Sequence, residues 1–286
     1  MDENASQQRG YLREDYRVFH LRDELGREVD SHYHEFHKLV FFRSGRVSYS
    51  VDGRASELQD GDIVLVPMGS VHRVTADPGA VYERVIVYLS PDFIRRASTP
   101  DCALDRCFTA CREAGRHVLR PERGVMRGLW RVMERLEQSA GSGEFGAALL
   151  SDSLLTELLI ELARQVMAQG GRLAPVQSAD SKAVGILHYL NEHLTEDVSI
   201  DALAERFFIS KYHMMRSFRA ETGFTIHAYV TEKRLLAARE MIVAGSLCSS
   251  VVARMNTTCS GGSSSVFRSA LKALVESMCT SSMMYT

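Results

Sequence analysis

No apolar run in the 286-residue chain approaches the roughly 18 residues a membrane-spanning helix requires, so no helical span and no membrane partner are expected. The opening residues, MDENASQQRG, are polar and acidic where a secretory signal is basic and then apolar, which predicts a protein kept in the cytoplasm. Cysteine is sparse and badly spaced for metal or cross-links. Cys102, Cys107 and Cys111 form one group, Cys248, Cys259 and Cys279 another, and there is no CxxC pair. Free thiols are expected, and neither a zinc site nor a disulfide framework. Net charge is nearly absent too: 34 Lys and Arg against 36 Asp and Glu leave -2. Attraction to nucleic acid must therefore come from local charge if it comes at all. The composition that remains, 45% hydrophobic and 24% charged, is that of a globular protein long enough for two compact units.

The hydrophobic period changes along the chain. From about Tyr16 to Ser90 short apolar or alternating runs (LVFF, RVSYSV, DIVLVP, YERVIVYL) are closed by Ser44-Gly45, Asp52-Gly53, Asp60-Gly61 and Pro67-x-Gly69. Strands at this spacing predict an antiparallel β-sandwich or small barrel, a container for a ligand. After Pro91 the period is helical. Val125, Leu129, Val132, Met133 and Leu136 share one face, and ALLSDSLLTELLIELARQVMA is more apolar still, so an antiparallel helix pair is expected across AGSGE. Its apolar surface suits covering the barrel and equally suits a homodimer interface. RLAPVQSADS (172–181) reads as a polar linker.

Beyond the linker the pattern predicts four short helices, two of them capped by Ser199 and Ser210, with Gly223 and Gly245 closing the last two. SIDALAERFFISKYHMMRSFRAETG has the layout of a helix-turn-helix, with Leu203 and Ala204 inward on its first helix and Met214, Met215 and Phe218 inward on its second. Ser210, Lys211, Tyr212, His213, Arg216 and Arg219 are then left outward, where they suit base edges and phosphates of a DNA major groove. Lys233, Arg234 and Arg239 on the next helix are candidate phosphate contacts. A plain three-helix core with a solvated basic face has the same pattern.

Leu203-Ala204, the turn ending in Ile209-Ser210, Phe218 followed at the fifth position by Gly223, and Arg234-Leu-x-x-Ala238 resemble the first helix-turn-helix of the AraC/XylS family of transcription regulators. The N-terminal half resembles that family's cupin-type effector domain through His32-x-His34, Gly45, Gly61-Asp62 and Pro67-x-Gly69-x-x-His72. The resemblance implies an α+β two-domain protein: a cupin-like barrel over 1–95, a helical linker and dimerisation segment over 96–172, and a DNA-binding domain over 180–245. It also implies double-stranded DNA, a small-molecule effector, a second copy of the chain and RNA polymerase as partners. His32, His34, His72, Tyr49, Tyr82 and Arg84 are the expected effector-binding residues. Metal-bearing cupins carry a carboxylate four or five residues after the paired histidines. Here Lys38 and Leu39 stand there, so no metal and no cofactor are expected. A metal-dependent cupin enzyme is the rival reading; the preferred one is a regulator that is not an enzyme. The family carries a second helix-turn-helix, but 246–286 is rich in Ser, Thr, Cys and Met and is read as a degenerate or out-of-frame remnant of it. The chain would then be a regulator with weakened or lost DNA binding.

Overall fold

Glycine turns and alternating apolar residues shape the first half. The computed structural model describes residue 12 and residues 14–24, 29–168, 173–178 and 182–243. Eight strands come first: β1 (Tyr16–Glu24), β2 (Val29–His32), β3 (His37–Ser44), β4 (Val47–Val51), β5 (Arg54–Glu57), β6 (Ile63–Val66), β7 (His72–Ala76) and β8 (Val81–Leu89). There follow α1 (Pro91–Ala97), α2 (Arg106–Ala114), β9 (Val118–Leu119), α3 (Arg123–Ser139), α4 (Ala147–Met167) and β10 (Gln177–Ser178). The described chain ends with α5 (Lys182–Glu192), α6 (Ile200–Arg206), α7 (Lys211–Thr222) and α8 (Ile226–Val243).

The strands form two antiparallel sheets, β1-β8-β3-β6-β9 and β10-β5-β4-β7-β2. Between them Val40, Phe42, Val64, Val66, Ile86 and Tyr88 of the first sheet meet Val47, Tyr49, Val51 and Val74 of the second. Leu39, Phe41, Ile63, Leu65, Val85, Val87 and Leu89 point the other way and lie beneath α1 to α4. Burial on both faces is why β3, β6 and β8 read as continuous apolar runs rather than alternating ones. The covering helices present Leu129, Val132, Met133 and Leu136 from α3, and Leu154, Leu155, Leu158, Leu159 and Leu162 from α4. The apolar stripe of the helix pair is thus largely intramolecular core. Asp62 is buried and accepts from Gln59 N–H and from the Arg120 guanidinium at 2.8 and 2.9 Å, which ties the Gly61-Asp62 turn to the chain after β9.

β9 and β10 were not foreseen. They arise in the segments read as helical and polar linkers, and each adds an edge strand, to β6 and to β5. Two-residue strands carry too little period to be seen in sequence, and only the open sheet edge selects them.

α5 to α8 form a second core around Leu187, Leu203, Met214, Phe218 and Tyr229. Ser199 and Ser210 cap α6 and α7 as expected, accepting from Ala202 and His213 N–H at 3.1 and 3.4 Å. Gly223 ends α7 at φ 78°. Gly245 and the unusual tail over 246–286 lie outside the described residues. Tyr33 and Val71, which belong to the barrel, are buried in this second core.

Truncating Leu158, wholly buried between α4 and the first sheet, is expected to cost about 2–5 kcal/mol for Leu158→Ala. Urea unfolding followed by circular dichroism measures it, and a loss below about 1 kcal/mol would contradict the packing described.

Candidate effector site and DNA-reading surface

A strand turns successive side chains to opposite sides. His32 of β2 lies directly opposite His72 of β7, and the alternation continues through Tyr33 and His34. His32, His34 and His72 therefore converge, with one ligand atom from each lying within 4.8 Å of the others. Their ring centroids are 4.3 to 5.0 Å apart. His34 is 4% exposed and stacks on Phe36, while His72 is stacked parallel to Tyr49 at 6.1 Å. Four of the six expected effector residues are thus brought together.

Tyr82 and Arg84 are not. They sit at the opposite end of β8 from Tyr88, whose ring is 5.9 Å from His34. Six residues of strand separate Tyr82 from Tyr88 by about 20 Å. Arg84 is buried in an ion pair with Asp23 and lies 4.1 Å over the Tyr82 ring, so both residues serve the far end of the barrel. Sequence named them by residue type, which carries no information about depth along the barrel. Lys38, considered only as a missing carboxylate, points inward beside the histidines with its ammonium 5.7 Å over Tyr88. Its parity with Val40 and Phe42 on β3 was the available signal.

Burial pushes the His34 imidazolium down to about 2, with Lys38 and His32 adding to it. Burial also holds His72 well below its ordinary value, and His32, Lys38 and His34 act in the same direction. His34 and His72 are accordingly neutral near pH 7. The two His34 ring nitrogens and His72 Nε2 are buried with no hydrogen-bond partner among the described residues. His72 Nδ1 is 3.2 Å from the Ser70 carbonyl oxygen, which only a donating N–H satisfies, so Nε2 presents a lone pair.

These donors, taken alone, would suit a divalent metal. The charge does not. The cluster includes no carboxylate among the described residues, and Lys38 occupies the place where metal-bearing cupins have one. The Lys38 charge, which disfavours the protonated forms of both His34 and His72, also opposes a divalent ion held between them. The residues present do not fit a resident metal.

The second candidate surface is α7. Met214, Phe218 and Thr222 are buried, while Lys211, Tyr212, His213, Arg216 and Arg219 are exposed, Tyr212 by 73%. Lys211 also pairs with Asp201 of α6. Met215, expected inward, is 46% exposed: it lies about 100° round the helix from Met214, on the stripe of Tyr212 and Arg219. Phe208, in the turn before α7, adopts φ 49° and is also exposed.

Two expected phosphate contacts are engaged internally. Arg234 donates to the carbonyls of Leu194 and Glu196 at 2.7 and 2.6 Å, closing the chain that follows α5. Lys233 faces a cleft of about 280 Å³ between α5, α8 and the barrel, lined also by Asp52, His117 and His188. The face of α8 that carries these two cations is the one its packing buries, a fact that local sequence does not contain. Arg239 has no described side chain.

The reading helices rest on the barrel at three places. Ser31 donates to Glu221 O at 3.0 Å, and Arg73 pairs with the Glu221 carboxylate at 3.9 Å. A Cβ at Gly223 would lie 2.9 Å from Ser31 O, so the close approach requires glycine there. The Gly53 hairpin abuts Val184 of α5, and Gly69 abuts Leu236 of α8.

A two-sheet barrel with a polar cluster at one end, joined through helices to a helix-turn-helix, defines a ligand-binding transcription regulator. Residues 18–159 match the family described as AraC-like ligand binding domain, and residues 190–231 match the bacterial regulatory helix-turn-helix proteins of the AraC family. The chain is an AraC-type transcription regulator, with an N-terminal ligand-binding domain and a C-terminal DNA-binding helix-turn-helix. Among its relatives is the HTH-type transcriptional activator RhaS of Escherichia fergusonii, 23% identical over 224 residues, which are 74% of this chain and 73% of that protein. RhaS of Escherichia coli strain SE11 is 22% identical over 215 residues, 75% and 74% of the two chains. Solved structures similar to it include the AraC-like transcriptional activator CuxR, 16% identical with TM-score 0.35, covering 72% of this chain and 68% of that one. ToxT from Vibrio cholerae is 11% identical with TM-score 0.38, covering 82% and 86%.

Arg234→Ala is expected to lower the unfolding free energy by about 1–3 kcal/mol through the two carbonyls it strands. Thermal unfolding without DNA measures this, and an unchanged Tm would show that the two hydrogen bonds contribute nothing.

Proposed function

We propose that this protein couples the binding of a small effector at His32, His34, His72 and Tyr49 to the placement of a DNA-reading helix, α7, and so controls transcription in the cytoplasm. The observation that carries the proposal is the two-sidedness of two short segments. His32 and His34 turn into the cluster while Ser31 and Tyr33 turn to the reading helices. Likewise His72 turns in while Val71 and Arg73 turn out. A ligand that moves the imidazoles moves the residues between them, and the contact that seats α7 and α8 changes with them.

In this reading the sensing barrel runs to about residue 95, the linker to about 172 and the reading domain from about 180 to 245. DNA enters at the exposed stripe of α7, with Ser210, Lys211, Tyr212 and His213 toward base edges in the major groove and Arg216 and Arg219 toward guanine or phosphate. Lys233 and Arg234 are assigned to docking rather than DNA. Phe145, Leu149 and Leu150 are exposed at the start of α4 and form the surface for a second copy of the chain. RNA polymerase is the remaining partner the reading requires. The rival metal-dependent enzyme needs a cation that the cluster with Lys38 does not fit.

Arg216→Ala and Arg219→Ala should each weaken binding to the upstream intergenic DNA about tenfold or more and flatten its salt dependence, with Tm unchanged. Fluorescence anisotropy at two salt concentrations checks this, and unaltered affinity in both variants refutes the assignment of α7. The double variant Leu149→Asp, Leu150→Asp should turn a dimer into a monomer in sedimentation velocity. A persisting dimer places the interface elsewhere.

A further inference from the structure

Resting on the reading of α7 as the helix that meets DNA, we propose that Met215 and Tyr212 make it select thymine, packing against the C5-methyl groups of neighbouring base pairs in the major groove. Large hydrophobic side chains left exposed concentrate, among the described residues, at the start of α4 and between Phe208 and Met215. Phe208 closes α6 at φ 49°, with the Ile209 N–H donating back to Ala204 O at 3.1 Å. Glycine would hold that left-handed turn without strain, so the exposed phenyl supplies nothing the turn requires. A bulky residue kept in such a conformation marks the stretch as shaped for something other than stability. On α7 itself, at about 100° per residue, Tyr212, Met215, Arg216 and Arg219 fall within an arc of about 100°. All four are exposed, while Met214, Phe218 and Thr222 are buried.

That mixture of side chains identifies the occupant. Any surface that covers Tyr212 and Met215 covers the two guanidinium groups as well. A protein partner would have to provide a carboxylate for each or bear the cost of stranding a buried charge. A duplex meets both needs at once, with phosphates and guanine acceptors for the arginines and methyl groups for the apolar pair. Thymine carries the one methyl group on the major-groove edges of the four bases. The Met215 thioether has no donor and is a weak acceptor, so against any other base it would leave a polar edge unpaired. Tyr212 and Met215 stand about 4.5 Å apart along the helix axis, against about 3.4 Å between successive bases, which suits contacts to neighbouring pairs.

The test uses the full chain and a duplex that it enriches from a random pool, remade with uracil at one thymine at a time, which removes the methyl and keeps every hydrogen-bonding edge. Fluorescence anisotropy should show a loss of about three- to fourfold at two neighbouring positions, the worth of one buried methyl each. The salt slope should not change, because no phosphate contact is lost. Met215→Ala should bind the thymine duplex about as weakly as the natural chain binds the uracil one, and should cease to distinguish the two bases at one of these positions. Tyr212→Ala should do the same at the other, and both variants should keep the natural Tm. The proposal is overturned if uracil is tolerated at every position, or if either variant discriminates as the natural chain does. It is overturned too if the variants dissociate a dimer in sedimentation velocity with discrimination intact, which would give the patch to a second copy of the chain. Arg216→Ala separates the two readings. Binding that it weakens, with no uracil effect in the natural chain, overturns thymine selection and leaves α7 as the reading helix. Affinity and discrimination that survive substitution of Tyr212, Met215, Arg216 and Arg219 by Ala overturn both, as does enrichment of no duplex at all.

Discussion

The two-residue period of an extended chain is the constraint on which the functional geometry depends. Over Ser31 to His34 and Val71 to Arg73 it sends imidazoles to one side and contacts with α5 to α8 to the other. A one-residue slip in either segment would exchange the two sets, placing Tyr33 in the polar cluster and His34 in an apolar core. The pairing of His32 with His72 holds that register. Glycines at positions 53, 69 and 223 allow the two bodies to approach closely enough for the outward residues to touch.

Because β3, β6 and β8 are apolar on both faces, the first sheet cannot be exposed on either. One face closes on the second sheet and the other is roofed by α1 to α4. That division leaves the second sheet, with β2 and β7, to meet the reading domain. The wall that carries the polar cluster is therefore the wall on which the DNA-binding half is seated. The helices over the first sheet are free to present the apolar start of α4 outward.

Charge is used in a way that the net value of -2 conceals. Arg84 and Arg120 are bound to Asp23 and Asp62 of the barrel, and Arg234 closes the end of α5. Lys211, Arg216 and Arg219 of α7 are left outward. The buried ammonium of Lys38 sets the chemistry of the cluster in the opposite sense from the carboxylate it replaces.

Much of this was readable in the chain itself: the glycine turns, the serine caps of α6 and α7, the inward set Leu203, Met214 and Phe218, and the convergence of three histidines. Each depends on local periodicity or on φ freedom, which neighbouring residues decide among themselves. Met215, expected inward, is exposed; Tyr82 and Arg84 lie away from the histidines, Lys233 and Arg234 make contacts within the protein, and β9 and β10 were not read at all. Depth along a barrel, the buried face of α8 and the pairing of a two-residue edge strand depend on elements distant in sequence. By itself, then, the sequence determined the two folds and the residue types available to each site. Tertiary structure alone decided which cations stay outward, which hold neighbouring elements together, and that a lysine stands beside the histidines, because those outcomes follow from long-range packing.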